Sequence, residues 1–275
     1  MEFGLTSEIA GSANPDIERT EADGVLTLTF TRPAKLNALT PGMLNEIRRA
    51  VADMTDQDEL RVLVITAAGR YFTAGHDIAT LPREPGLTTT GARSGVKVRA
   101  YLRHHHELID SLEKLEKPVI VAAQGPCLGL GLEMAVSCDF RFAGESATFS
   151  LPEIPKLGTI AGSGGISRLT RIVGPHWARW LAMASRSIDA HKALDIGLMH
   201  DVFPDDKLQE EVQAFARALV ALPGEALALA KLAIDTAVTA DRTTARDFDR
   251  VANTLLILGE QNRQTVADYR DKAEK

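Results

Sequence analysis

Two glutamates that stand beside glycine-rich turns are the residues of this sequence best suited to chemistry. Glu133 directly follows GPCLGLGL (125–132), and Glu153 lies eight residues before the dense turn AGSGG (161–165). A glycine turn that opens a helix leaves backbone N–H groups without partners, with the positive end of the helix dipole behind them. Such a turn binds negative charge. Paired carboxylates beside it have a definite use: one takes a proton from water while the other handles the proton at carbon, and a developing oxyanion rests on the bare amides. Each glutamate also has a plain structural explanation. Glu133 complements the dipole of a first helical turn, and Glu153 is a charged residue in a proline turn. Spacing along the chain does not say whether the two meet.

Other chemistries fit less well. His104, His105 and His106 invite a metal reading, but consecutive helical positions fan out by about 100° each, and a chelating pair needs i, i+4 spacing. The run therefore reads as a solvated helix face. Gly129-Leu130-Gly131 begins a dinucleotide fingerprint, yet Met134 stands at its third glycine. Ser163 sits between glycines as in a nucleophile elbow, but Ala161 occupies one of the two outer glycine positions. Cys127 and Cys138 are too few for a disulfide framework, and a reducing, cytoplasmic setting is the expectation.

The elements that must position the glutamates can be read from pattern. VIVAA (119–123), β-branched and apolar behind Pro118, reads as a buried strand, and Leu132 to Val136 as helix material after the glycine turn. Gly125, Gly129 and Gly131 allow positive φ or a close approach of another group. Upstream, residues 1–20 read as a loose lead-in. VLTLTF (25–30) alternates as a half-buried strand, Thr40-Pro41 opens a helix running to Asp56, and residues 62–66 form a second strand. The Pro-, Gly- and Thr-rich stretch 82–95 reads as a mobile loop suited to a lid, and 98–116 as an amphipathic helix. Downstream come strands at 140–143 and 147–151, a helix from AGSGG to Gly174, and another from Pro175. From Asp205 the pattern is helical only, over 208–222, 225–240 and 244–269. This predicts an α/β core over 1–200 and a helical segment over 201–275.

Composition sets outer bounds. The chain has 275 residues, of which 45% are hydrophobic, enough for one large core. Its net charge of −6 argues against a nucleic-acid footprint. There is no run of eighteen apolar residues of the kind that crosses a membrane, and the acidic start MEFGLTSEIAGSANPDIE does not read as a signal peptide.

Five motifs, in order, then carry a resemblance. RPAKLNAL (32–39), VLVITAAGRYFTAGHDI (62–78), the glycine turn with Cys138-Asp139, LPEIPKLGTIAGSGGISRL (151–169) and the closing Val266, Tyr269 and Lys272 resemble the enoyl-CoA hydratase/isomerase (crotonase) superfamily. The resemblance implies a crotonase-like spiral of ββα units with a C-terminal helical trimerisation segment, assembled as homotrimers or hexamers. It implies an acyl-CoA thioester substrate and no metal or redox cofactor. In its terms the backbone N–H groups of His76 and Leu130 form the oxyanion hole, and Glu133 with Glu153 adds water to a trans-2-enoyl-CoA, giving a 3-hydroxyacyl-CoA. An isomerase, a dehydratase, a thioester hydrolase or a non-catalytic CoA-binding protein are the alternatives. Lys35 and Lys272 are candidates for the nucleotide phosphates; Ala74, Gly75, Asp77 and Ile78 would line the adenine and pantetheine path, with Tyr269 in the closing motif. His76 replaces a small residue, so its ring narrows the pocket, touches the substrate, moves a proton or turns away. Leu130 replaces a glycine and would be strained at positive φ.

Overall fold

The main sheet of this computed structural model, which describes residues 14–80 and 94–273, has six strands. Their order is β1 (Ile17–Ala22), β2 (Val25–Phe30), β3 (Val62–Ala67), β4 (Val119–Ala123), β6 (Phe140–Gly144) and β9 (Asp201–Phe203). All pairings are parallel except β1 with β2. Residues 17–20 are therefore an edge strand and not part of a lead-in. The lid stretch 82–95 falls, but for its last two residues, outside the described residues.

Parallel strands need cover on both faces, and the sequence supplies two sets of apolar residues. One face of the sheet, with Leu26, Leu28, Phe30, Leu63, Ile65 and Val121, packs on helices α1 (Pro41–Asp56) and α2 (Ser94–Lys114). The other, with Val25, Val62, Val64, Ile120 and Phe142, packs on Leu208, Val212, Ala216 and Leu219 of α7 (Leu208–Val220). β2 is thus almost wholly buried rather than half-exposed. Thr27 of β2 meets a helix instead of water, as Gln213 Nε2 donates to its Oγ1 at 3.1 Å, and on β3 Gln209 Nε2 donates to Thr66 Oγ1 at 2.6 Å.

Successive main-sheet strands are followed by short rungs in a second layer. After β2 comes Leu39, which bridges to His76; after β3 comes Thr73, which bridges to β5 (Cys127–Leu128). β5 itself follows β4 and pairs with β7 (Thr148–Ser150), which follows β6 and is closed by β8 (Ile188–Asp189). This winding is the expected ββα spiral. It brings the segments 73–77, 127–130 and 150–153 side by side, although they are far apart in sequence.

Asn37 pins two successive turns of the spiral together. It is fully buried, with a left-handed φ of 50° that asparagine tolerates better than most residues. Its side chain accepts from the Arg32 N–H at 2.9 Å and donates to the carbonyls of Ala68 and Tyr71 at 2.9 and 2.7 Å. Thr73 Oγ1 donates to its carbonyl at 2.7 Å. Replacing it with alanine leaves the Arg32 N–H and the Ala68 carbonyl without this partner and keeps the strained φ. Asn37→Ala is expected to cost about 3 kcal/mol of stability, read from urea unfolding.

The intervening helices are α3 (Leu130–Ala135), α4 (Glu153–Leu157), α5 (Gly165–Ala178) and α6 (Ala190–Asp195). α5 is broken at Gly174, whose φ of 71° and ψ of 166° are not helical, as the Gly-Pro pair predicts. The chain closes with α8 (Gly224–Thr239), α9 (Arg242–Leu258) and α10 (Glu260–Ala273). The single helix expected over 244–269 is interrupted at Gly259, whose backbone is extended. The main sheet also runs past residue 200, since β9 pairs with β6 and α7 is part of the core.

Candidate active site

A cavity of about 980 Å³ opens where the second-layer segments converge. Ala74, Gly75, His76, Asp77, Ile78, Leu130, Glu133 and Glu153 all line it. Glu133 lies in the first turn of α3 and is 3% exposed. Its Oε2 accepts from the Ser163 N–H at 2.7 Å and the Gly165 N–H at 3.0 Å. The AGSGG turn, read in the sequence as a helix start able to bind negative charge, is therefore the clamp of Glu133. Gly165 has to be glycine for this: a Cβ there would stand 2.4 Å from Glu133 Cγ. Burial raises the Glu133 pKa, against which the amides of Ser163, Gly165 and Gly162 and the His106 imidazole act.

Glu153 has a different environment. It opens α4 behind Pro152, and its Oε1 would lie 2.9 Å from a Cβ built on Gly129. Its Oε2 is buried with no hydrogen-bond partner among the described residues. Burial first, and the neighbouring charge of Glu133, push its pKa up to about 7. One acid is thus held as an acceptor while its neighbour tends to keep its proton. Both carboxyl groups are raised by burial, but only Glu133 is held by amides, and such unlike environments are the usual material of acid and base roles.

The glycine turn keeps a regular helix start. Gly129 carries the positive φ, at 56°, so Leu130 escapes strain and enters α3 as its first residue, buried at 4% exposure. An ideal Cβ on Gly75 would lie 3.3 Å from Leu130 N, which places the peptide before His76 against the one before Leu130. Leu39 N donates to Gly75 O at 2.8 Å and Asp77 N donates to Leu39 O at 3.0 Å, so the backbone on either side of His76 is held. Among the described residues, neither the His76 nor the Leu130 N–H donates to a protein acceptor. The His76 ring turns into the cavity wall. It packs on His105 with ring centroids 4.8 Å apart, and burial, with His105 beside it, lowers its pKa to about 4.

The three histidines do not form a solvated face. His105 is buried, His106 contacts the carbonyl of Gly162 through Nε2, and only His104 turns outward, toward Glu107. Sequence reading missed both inner histidines as cavity residues; their place on the helix just before the central strand was the available signal. Two CoA candidates lie off the cavity wall. Lys35 is exposed in the short turn Pro33–Lys35, where its charge reaches Asp77, and Asp77 is held below the usual carboxylate range mainly by Arg32 at 2.7 Å. Tyr269 is 75% exposed on α10, and the side chain of Lys272 lies outside the described residues.

Comparison with known proteins shows the family. The family model described as enoyl-CoA hydratase/isomerase matches residues 20–274, and the chain belongs to that family. The short-chain-enoyl-CoA hydratase of Clostridium acetobutylicum is 35% identical over 229 residues, 83% of this chain and 84% of that protein. The 1,2-epoxyphenylacetyl-CoA isomerase of Escherichia coli is 34% identical over 227 residues, covering 82% and 84%. A crystal structure of an enoyl-CoA hydratase from Bacillus anthracis superposes with a TM-score of 0.84 at 28% identity, covering 94% of this chain and 96% of that one. Membership thus fixes the fold and the family, while named relatives differ in reaction.

Proposed function

We propose that this protein hydrates a trans-2-enoyl-CoA to a 3-hydroxyacyl-CoA. The observation that carries the reading is the pair of unlike carboxyl groups on one cavity: Glu133 clamped by amides, and Glu153 with its Oε2 unpartnered among the described residues and a pKa of about 7. The His76 and Leu130 amides receive the thioester oxygen and draw electrons from the double bond, leaving C3 electrophilic. Such a donor contributes on the order of 3 kcal/mol. Glu133 takes a proton from water as its oxygen attacks C3, and Glu153 gives its proton to C2. The two proton transfers balance, so the pair regains its starting state by one exchange with solvent. No metal or redox cofactor enters this reaction; coenzyme A is part of the substrate.

Lys35 and Lys272 remain the candidates for the CoA phosphates. We also read α8 and α9 as an assembly surface between copies of this chain, as Ile234, Val238, Val251, Leu255 and Leu258 are each more than half exposed. A trimer or hexamer on size exclusion with light scattering would support this, and a monomer would oppose it.

Crotonyl-CoA tests the reaction directly, through loss of the conjugated thioester's absorbance and appearance of the 3-hydroxy product by mass spectrometry. Binding without turnover over a panel of enoyl-CoA esters would overturn it. The pH profile follows from the raised Glu153 pKa. A group that must donate its proton is competent below its pKa, so kcat/KM is expected to fall tenfold per unit above pH about 7. An alkaline limb absent from the wild type would remove Glu153 from the donor role.

A further inference from the structure

One face of α2 is fastened to the turn that clamps Glu133. His106, Asp110 and Glu113 stand at i, i+4 and i+7, which share a helix face. His106 Nε2 meets the carbonyl of Gly162. A carbonyl only accepts, so Nε2 carries the proton. Asp110 and Glu113 hold the Arg168 guanidinium at 2.5 and 2.6 Å, and Arg168 Nη1 donates in turn to the Ser163 carbonyl at 3.3 Å. Arg168 is 7% exposed, and its charge is met by both acids.

The Gly162 carbonyl and the Ser163 N–H belong to the same peptide unit. That unit is bound at both ends: its oxygen takes the His106 proton, and its nitrogen gives a hydrogen bond to Glu133 Oε2 at 2.7 Å. Hydrogen bonds in such a chain polarise one another, because withdrawing electrons from the carbonyl oxygen makes the N–H a better donor. We propose that His106 is a positioning residue for Glu133, acting through the Gly162–Ser163 peptide, with the Arg168 cluster holding the next peptide in place. His106 lines the cavity, but this role does not require it to touch substrate.

The proposal rests on Glu133 as the base, and it makes a separate structural claim that can be tested without turnover. The groups facing Glu133 are Glu153 from α4 and His106 from α2; His76 and His105 line the same cavity, and Arg168, Asp110 and Glu113 stand behind the turn. Two neutral amide substitutions separate the hydrogen bond from the imidazole's charge. The amide nitrogen of His106→Gln occupies the reach of Nε2, whereas that of His106→Asn stops short.

In His106→Asn, hydrogen–deuterium exchange over residues 160–168 is expected to quicken, kcat to fall on the order of tenfold to a hundredfold, and KM to change little. The acid limb of kcat/KM moves to higher pH, because a carboxylate that loses a polarised donor binds its proton more tightly. His106→Gln is expected to restore exchange, kcat and the acid limb toward wild type. Equal exchange in the 160–168 segment for wild type and both variants would overturn the link between His106 and the turn, whatever the enzyme's activity. Faster exchange in His106→Asn with unchanged kcat and an unmoved acid limb would keep the link and overturn its role in positioning the base. If no enoyl-CoA is turned over by the wild type, the exchange comparison alone decides the structural claim, and the failure falls on the hydratase reading.

Discussion

Glu153→Gln is expected to lose hydration of crotonyl-CoA by a factor on the order of 10²–10⁴, the range for a positioned general acid. It should gain thermal stability at the same time. Glutamine has nearly the shape of glutamate and no charge to bury, while Glu153 Oε2 is buried without a partner among the described residues. The sign of the pH effect follows from the shift. A carboxyl raised from its unfolded value to about 7 binds its proton more tightly in the folded chain. Its contribution is fully present below the unfolded pKa of about 4.3 and is lost as pH rises through about 7. The rise in melting temperature should therefore be clear at pH 8 and nearly absent at pH 4. A variant that keeps its rate, or melts lower than wild type at pH 8, would contradict the assignment.

Glu133→Gln is expected to reduce kcat by a similar factor, on the order of 10²–10⁴, for a different reason. The glutamine oxygen still accepts from the Ser163 and Gly165 amides, which now stand 2.7 and 3.0 Å from Glu133 Oε2, so the fold is retained. What is lost is the ability to take a proton from water. The two variants separate in the pH dependence of their residual rates: Glu133→Gln should lose the acid limb and keep the alkaline one, and Glu153→Gln the reverse. Exchanged limbs would mean that base and acid have been assigned the wrong way round. Circular dichroism of both proteins checks that neither loss reflects unfolding.

How much of this was legible depended on whether the information was local. The central strand 119–123 and the strand 25–30 coincide with their expected bounds, because an apolar run between breakers is a local signal. The kink at Gly174 was equally readable from Gly-Pro. The exposure of β2 was not, since the helix covering its second face comes nearly two hundred residues later, and neither was the strand 17–22, whose partner supplies its reason to be ordered. Leu130 shows the same limit at one residue. Sequence comparison raised a strain at positive φ, and the turn places that angle on Gly129 instead.

Residue types alone determined that two of the chain's glutamates stand beside glycine turns able to bind negative charge and that five motifs of one family follow in order, because these are matters of identity and order. Only the folded chain decided that the AGSGG turn clamps Glu133, that Glu153 Oε2 has no partner among the described residues, and that two of three neighbouring histidines turn inward. Those facts arise from contacts between segments about thirty to sixty residues apart. A carboxyl group's protonation depends on which amides, charges and water reach it, and the winding of the spiral sets that distance.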